Sequence, residues 1–492
     1  MDKALPHNGP FLLETILQND AHSLPLTDSR QVKPGDLFLA IPCAAMHEHI
    51  EQAINQGAKT IIIKDTEAPL WQNRYPFLKI IPTPNPRLTL ALLAKNLYPE
   101  QPDKVIAVTG TNGKSSVVHL IRQLWLGCGL SAASLGTLGL VTNQGQAPDL
   151  PLPALTTLDS VHMHQALTYL KNQGIQCLAL EASSHGLDQY RIHGVALQPA
   201  RFTNFTQDHL DYHSTMEHYF ASKAKLFTEV LAKGKTAVLN GDSPYFGKLK
   251  KLCQERQQAV LSYSLTQKAD LWITNIQQKP QHLEFDLYVL GQAFIHQYVP
   301  LVGKFQLENL LCALGLCLAT TGNIDDLIKT LPLLQPVKGR MQLIGSYHQA
   351  AIFVDYAHTP DALETALKNL RPHTQGQLWV VFGCGGNRDQ AKRPRMGEVA
   401  NLWADQVIIT DDNPRYENAA HIRQQILATC PKAKEIGDRR YAIRSTIAQL
   451  QPGDIVLVAG KGHETSQIIG DIIYPFCDQN EIETFLQELT HG

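Results

Sequence analysis

The run Gly110-Thr-Asn-Gly-Lys-Ser-Ser116 places two glycines, a lysine and two serine hydroxyls within seven residues. These residue types at this spacing suit a polyphosphate. Backbone N–H groups of a glycine turn face the anion, Lys114 sets a cation against the terminal phosphates, and Ser115 offers a hydroxyl to Mg²⁺. The usual motif has four residues between its glycines, and this one is shorter. Glu181 closes the apolar run Cys177-Leu-Ala-Leu. A carboxylate at such a strand end is a candidate Mg²⁺ ligand, because hard cations take oxygen. His209 and His213 stand four apart, a spacing open to zinc, but neither an HExxH pattern nor a third ligand accompanies them. Lys223 and Lys225 share a helix-like stretch, where ordinary surface lysines are the default.

Four later apolar runs each end in a polar or glycine-rich loop: Ile352 to His358, Leu378 to Asp389, Val407 to Arg415, and Ile455 to Glu464. Arg388 and Arg415 can each fork onto a carboxylate, and Glu464 can hold an ammonium. Opposite charges gathered on one sheet edge suit a zwitterionic ligand.

These groups need elements to hold them. Val105 to Val108 is an unbroken apolar run, the signature of a buried parallel strand. Val117, Val118, Leu120, Ile121 and Leu124 follow with helical spacing. Strands are expected at 36–41, 60–64, 177–181, 236–239 and 283–289, with helices at 50–57 and 310–318. Prolines 82, 84, 86, 99 and 102 mark a boundary near residue 100, and the Gly, Pro and polar turns of 321–340 mark another. The expected organisation is α/β in three domains: 1–100, 101–335 and 336–492. The last alternates strands and helices as a doubly wound, mostly parallel sheet does. Thr27 to Arg30 is a short polar loop, open to an anionic ligand or to no role at all.

With 492 residues, 44% of them hydrophobic, the chain can build about three cores. A net charge of −2 gives no broad basic face, so no nucleic-acid partner is expected. No apolar run reaches the ~18 residues of a membrane span, and the first twenty residues do not read as a signal peptide. Nine dispersed cysteines without a CxxC pair fit reduced thiols, and a cytoplasmic location is expected.

The motifs GTNGKSS, EASSHGLDQYR, DHLDYH, GRMQ, DYAHTPDAL, FGCGGNRD, DDNPR and GKGHE, in this order over nearly the full length, resemble the Mur ligases of bacterial cell-wall synthesis. The resemblance implies a UDP-substrate domain, a central P-loop ATPase domain and a C-terminal Rossmann-like domain for the incoming amino acid. It implies that Gly110, Thr111, Asn112, Gly113, Lys114, Ser115 and Ser116 cradle ATP, with Asn309, Arg340 and Asp355 also meeting the nucleotide. Glu181 and His209 would hold Mg²⁺, and Lys223 matches a carbamylated lysine that helps place the metal, which overrides the surface default. Lys114, Lys223 and His209 would thus be the catalytic set.

Ser29, Thr156, Thr157, Ser183, Gln189 and Arg191 would contact UDP-N-acetylmuramoyl-L-alanyl-D-glutamate. Arg388, Asp412, Asn413, Pro414, Arg415, Gly460 and Glu464 match a pocket for meso-diaminopimelate. The implied reaction turns the D-glutamyl carboxylate into an acyl phosphate with ATP, and the free amine then attacks. A peptidoglycan-building ligase of this kind serves cell shape and division, and a monomer is expected. Lysine lacks the second carboxylate of diaminopimelate. It would leave a buried Arg415 unpaired, at roughly 2–5 kcal/mol, and a polar site of that kind can reject the analogue ~10⁴-fold.

The chain departs from the family at Lys338, where proline is more usual, at Gln306, and in a shortened loop 44–49. Within the superfamily, a D-alanyl-D-alanine-adding ligase or a folylpolyglutamate synthase is the alternative, and DDNPR with GKGHE argues against both. A P-loop regulatory switch is the alternative of another class, and it has no need of an acid-and-arginine pocket.

Overall fold

This computed structural model describes residues 25–143, 145–146, 150–205, 210–279 and 282–491. Three parallel-rich sheets follow one another along the chain. The first holds β1 (Leu37–Leu39), β2 (Thr60–Lys64) and β3 (Lys79–Thr83), all parallel and in that order. Helix Met46–Asn55 connects the first pair, starting earlier than the apolar spacing suggests because its first turn carries the exposed polar residues His47, Glu48 and His49. Ile61, Ile62 and Ile63 are completely buried, with core on both faces of the sheet, which is why the run is unbroken rather than alternating.

The second sheet carries β4 (Lys104–Thr109), β5 (Ala132–Gly136), β6 (Gly139–Thr142), β7 (Gly145–Gln146), β8 (Cys177–Glu181), β9 (Pro199–Phe202), β10 (Thr236–Asn240), β11 (Ala259–Ser264), β12 (Leu271–Gln278), β13 (Leu283–Val289) and β14 (Gln292–Val299). Their order is β14-β13-β12-β11-β10-β9-β4-β8-β5-β6-β7. β4 lies at the centre, parallel to β8 on one side and β9 on the other. Its side chains feed two cores. Ile106 and Val108 pack with helices Lys114–Gly127 and Phe305–Thr321, while Val105 and Ala107 face the opposite layer. Truncating Leu120 of the first helix to alanine would cost about 2–5 kcal/mol, since it is buried among these neighbours. The segment 236–299 holds five strands where the sequence predicts two. β12 and β14 present a polar, solvated face, so neither forms the apolar run that marks a strand buried on both sides.

The third sheet contains β15 (Gln342–Tyr347), β16 (Ala350–Asp355), β17 (Leu378–Phe382), β18 (Gln406–Ile409), β19 (Lys434–Glu435) and β20 (Ile455–Ala459), in the order β15-β16-β20-β17-β18-β19. The four strands read from the sequence are neighbours and parallel. Their carboxyl ends therefore share one edge, and the four polar loops line it. A hairpin of β21 (Ser466–Ile469) and β22 (Ile472–Pro475) follows the last loop. No helix among the described residues is long and apolar enough to cross a membrane.

Candidate active site

The glycine turn sits between the end of β4 and helix Lys114–Gly127, at the centre of the second sheet. Gly110 has a φ of +140°, and a Cβ there would lie 1.7 Å from Thr203 Oγ1, so no larger residue fits without moving the loop after β9. Thr203 Oγ1 donates to Asn112 O at 2.7 Å, and Asn112 N donates to Asn204 Oδ1 at 2.8 Å. Ser115 and Ser116 are buried in the first helical turn, where free N–H groups and the helix dipole favour an anion. Lys114 Nζ donates to Gly110 O at 3.0 Å and to Thr111 O at 2.8 Å.

Lys223 is not a surface lysine. It is 1% exposed, its Nζ donates to Gly110 O at 2.8 Å, and it lies 4.5 Å from the centre of the Tyr219 ring. Two ammonium groups thus converge on one turn. Lys225, two residues on, leaves in another direction and pairs with Asp188 at 2.9 Å.

Glu181 is buried at the end of β8. Its Oε1 accepts Thr137 N–H at 2.9 Å and its Oε2 accepts Thr137 Oγ1–H at 3.2 Å. Only neutral donors meet this carboxylate among the hydrogen bonds described, an arrangement that suits a hard cation. His209 lies outside the described residues, and no three His, Cys, Asp or Glu side chains among the described residues group as a metal site. His213, the other half of the candidate zinc pair, is fully buried between His185, Tyr212, His218 and Tyr219. Burial, with His185 and His218 adding to it, pushes its imidazole down to about 4. It is a neutral core histidine.

The five expected substrate residues of the second domain form one connected network beside Glu181. Thr157 Oγ1 lies 2.9 Å from Glu181 O and 3.0 Å from Ser183 Oγ. Thr156 Oγ1 meets Thr137 Oγ1 at 3.2 Å. Arg191 Nη1 donates to Thr157 O at 2.8 Å, and its Nη2 donates to Gln189 Oε1 at 2.8 Å. Ser29 stands apart from them. It is buried at the start of a 3₁₀ turn, Ser29–Gln31, and donates to Gln52 Oε1 at 2.7 Å.

The third sheet meets this turn. Arg340 Nη2 donates to Ser115 Oγ at 3.2 Å, and its guanidinium lies 4.4 Å from the centre of the Tyr356 ring. Asn112 Nδ2 donates to Asp361 Oδ2 at 2.9 Å. Asp355 accepts from Met341 N and Ala357 N, and burial raises its carboxyl above the usual range, with Arg340 opposing. Asn309 Oδ1 lies close behind Gly113, where a Cβ would fall 2.6 Å away, and its Nδ2 donates to Gln306 Oε1 at 3.2 Å. Tyr356 joins the two halves. Its ring lies 5.1 Å from that of His463 on the edge loop, and burial raises its phenol, with Glu464 adding to the shift and Arg340 opposing it.

On the sheet edge itself, Asn413 Nδ2 donates to Glu464 Oε2 at 2.9 Å. Lys461, completely buried, donates to Asn413 Oδ1 at 2.9 Å and reaches Glu464 Oε2 at 3.2 Å. Gly460 N donates to Asp355 O, and a Cβ at Gly460 would lie 2.7 Å from Asp412 Oδ2. Arg415 Nη1 donates to Gly386 O at 2.8 Å. A Cβ at Gly385 would lie 2.9 Å from Arg415 Nη1 and 3.7 Å from Arg388 Cγ, so the two arginines flank one glycine. Pro414 O faces Gly386 from the neighbouring loop. Arg415 is only partly buried and already has a carbonyl partner. The full penalty expected for an unpaired, buried Arg415 is therefore reduced. Tyr356, Asp361 and Lys461 were not singled out by type or spacing, although each lies inside or beside a motif that was read.

Comparison with known proteins agrees with this layout. The family described as "Mur ligase middle domain" matches residues 108–317, and "Mur ligase, glutamate ligase domain" matches 339–462. The UDP-N-acetylmuramoyl-L-alanyl-D-glutamate--2,6-diaminopimelate ligase of Caulobacter vibrioides is 42% identical over 480 residues, 96% of each chain. That of Zymomonas mobilis is 44% identical over 452 residues, covering 90% of this chain and 89% of the relative. A solved structure of a protein with the same activity name superposes with a TM-score of 0.67 at 35% identity, covering 95% of both chains.

Proposed function

The chain belongs to the Mur ligase family, and from that premise we propose that it joins meso-2,6-diaminopimelate to UDP-N-acetylmuramoyl-L-alanyl-D-glutamate at the expense of ATP. The observation that carries this reading is the junction of the two sheets. The Ser115–Arg340 hydrogen bond and the Tyr356 ring, set between Arg340 and His463, link the phosphate turn to the acid-and-arginine edge. We divide the chain into a UDP-substrate domain over 1–100, an ATP domain over 101–335 and an amino-acid domain over 336–492.

In this reading Gly110 to Ser116 bind the triphosphate, and Asn309, Arg340 and Asp355 bound the nucleotide. Ser115, Glu181, His209 and Lys223 as its carbamate are the residues that would hold magnesium, which when bound would offset charge on the phosphoryl oxygens. Ser29, Thr156, Thr157, Ser183, Gln189 and Arg191 hold the UDP-linked acceptor. Its D-glutamyl carboxylate attacks the terminal phosphorus and ADP leaves, giving an acyl phosphate. Lys114 follows the charge by exchanging the carbonyls of Gly110 and Thr111 for phosphate oxygens.

Arg388 and Arg415 hold the carboxylates of the incoming amino acid, and Asp412, Asn413, Gly460 and Glu464 hold its distal ammonium. Pro414 fixes the loop between them. The free amine attacks the acyl carbon, phosphate departs, and the amide forms. Closure of the two sheets on the cleft excludes water, which would otherwise hydrolyse the acyl phosphate. The product feeds peptidoglycan synthesis and hence cell shape and division, and we place the enzyme in the cytoplasm as a monomer.

The test is phosphate release with an amino-acid panel. Release requires ATP, the UDP-linked acceptor and diaminopimelate together. Release driven by a protein partner, without an amino acid, overturns the reading in favour of a switch.

A further inference from the structure

Beneath the edge that carries Arg388 and Arg415 lies a buried cation to which the reaction assigns no role. Arg393, in the first turn of helix Lys392–Trp403, is 0% exposed. Its Nη1 donates to Glu417 Oε2 at 2.9 Å and to Gln425 Oε1 at 2.7 Å. Its Nη2 donates to Glu417 Oε1 at 3.0 Å and to Gly385 O at 3.1 Å. Glu417 also accepts the backbone N–H of Asn387. The hydrogen bonds from Arg393 are the largest influence holding the Glu417 carboxyl below its usual range.

This places one guanidinium across two loops. Gly385 belongs to the loop bearing Arg388, and Glu417 follows the loop bearing Asp412, Asn413 and Arg415. The two loops touch through backbone. Gly386 N donates to Asn413 O at 2.9 Å, and a Cβ at Gly386 would lie 1.9 Å from Pro414 O. Asn387 and Arg415 both have a positive φ, 51° and 52°, a conformation that non-glycine residues hold only when surrounding contacts impose it. A planar fork bound at both ends fixes distance and angle together, which a lysine ammonium cannot do.

We propose that Arg393, paired with Glu417, is a positioning residue that sets the separation of Arg388 and Arg415, and through it the preference for an amino acid with two carboxylates. This rests on the ligase reading above. The geometry argues for a role in binding the amino acid rather than the nucleotide, because every partner of Arg393 lies in the third sheet's edge loops or in the helix beside them, at Gln425.

The test compares wild type, Arg393→Lys and Glu417→Gln in steady-state kinetics with each substrate varied in turn, alongside thermal melting. A misplacement near 1 Å costs on the order of 10²-fold in a positioned reaction, so the KM for diaminopimelate is expected to rise at least ~10-fold in both variants. The ratio of kcat/KM for diaminopimelate over lysine falls by a similar factor. The KM values for ATP and for the UDP-linked acceptor stay within about threefold. The double variant is no worse than the poorer single one, because the two residues act as a unit. If Arg393→Lys fails to fold, Glu417→Gln carries the test, since its side chain is at the exposed side of the pair. An unchanged diaminopimelate KM and selectivity in a cooperatively folded variant overturns the proposal, and so does a parallel rise of all three KM values. Turnover of lysine but not diaminopimelate by wild type would instead refute the ligase's substrate reading. That outcome overturns the spacing proposal as well, because lysine has no second carboxylate for the pair of arginines to span.

Discussion

Replacing Arg415 by alanine removes one of the two guanidiniums on the pocket edge without unfastening its loop. The backbone there is tied independently, through Arg415 N to Ile468 O at 3.1 Å and Gly470 N to Arg415 O at 2.8 Å. The loss is therefore that of a charge contact. Two unit charges about 4 Å apart near a protein surface interact by ~4 kcal/mol. Arg415 is partly exposed, and burial together with the neighbouring Arg388 already lowers its pKa, so Arg388 takes over a share of the ligand's charge. A net loss of about 2–3 kcal/mol is expected, which is a ~30- to 150-fold fall in kcat/KM for diaminopimelate.

Nη1 donates to Gly386 O, so the benefit comes from the remaining donors, and the upper end of that range is a ceiling. The assay is phosphate release with diaminopimelate and lysine titrated separately at saturating ATP and acceptor. The KM for ATP should not move. Use of lysine should change by less than about threefold, because lysine lacks the distal carboxylate that this arginine would hold. A variant that handles diaminopimelate within about threefold of wild type would falsify the assignment of Arg415 to the distal carboxylate.

Three further outcomes are expected. Lys223→Ala should abolish turnover by at least ~10²-fold while ATP still binds, and a small carboxylate such as formate should restore part of the rate if a carbamate is the working group. No rescue at any concentration would leave the ammonium, not a carbamate, as the functional form. Asp361→Ala removes the acceptor for Asn112 Nδ2 across the sheet junction; the loss of about 1 kcal/mol should lower kcat roughly fivefold without changing the melting temperature of either half. Folding stability should fall on acidification. His119, His213 and His463 are each pushed down to about 4 by burial from an ordinary 6.5. Between those limits the unfolded chain binds protons that the folded chain does not. Stability is therefore complete above pH 6.5 and is lost as pH falls towards 4, by roughly 1–2 kcal/mol per histidine at pH 5. Urea unfolding at pH 7.5 and 5 measures it, and His213→Gln should flatten the dependence.

The parts of the site that lie along one strand and its loop were legible in the sequence. Cys177 to Glu181 forms the strand that its apolar run suggests, and Val105 to Val108 lies within the strand that ends at the glycine turn. Four parallel strands with polar ends put their loops on one edge by topology alone. The parts that depend on packing between distant elements were not legible. Nothing in the spacing of Lys223 and Lys225 tells which one is buried, because they sit two apart on a helix and so point to different faces. The difference comes from Gly110, more than a hundred residues away, whose carbonyl receives only the first. Arg393 was equally silent. A lysine-arginine-proline run at the start of a helix has the composition of a solvated surface, and only the arrival of Glu417 and Gly385 makes it a core residue.

The same asymmetry bears on why the chemistry is split between two sheets. Each half carries the charged groups suited to one of the two substrates. The glycine turn brings Lys114 and Lys223 onto the carbonyl of Gly110, with Arg340 arriving from the other side against Ser115. Lys114 and Arg340, brought to this turn from the two halves, suit the negative charge of a triphosphate. Across Tyr356, Asp412 and Glu464 stand with Lys461, Arg388 and Arg415, charges of both signs that suit a zwitterion. The triphosphate would meet one side of the junction and the zwitterionic amino acid the other. Binding of either substrate therefore favours the closed junction that the second requires. The coupling should be visible as a lower Kd for diaminopimelate when a non-hydrolysable ATP analogue and the UDP-linked acceptor are present, by about 5- to 100-fold for a coupling of roughly 1–3 kcal/mol. An affinity independent of nucleotide would mean that the two halves bind separately, and that the Arg340–Ser115 and Asn112–Asp361 contacts carry no information between them.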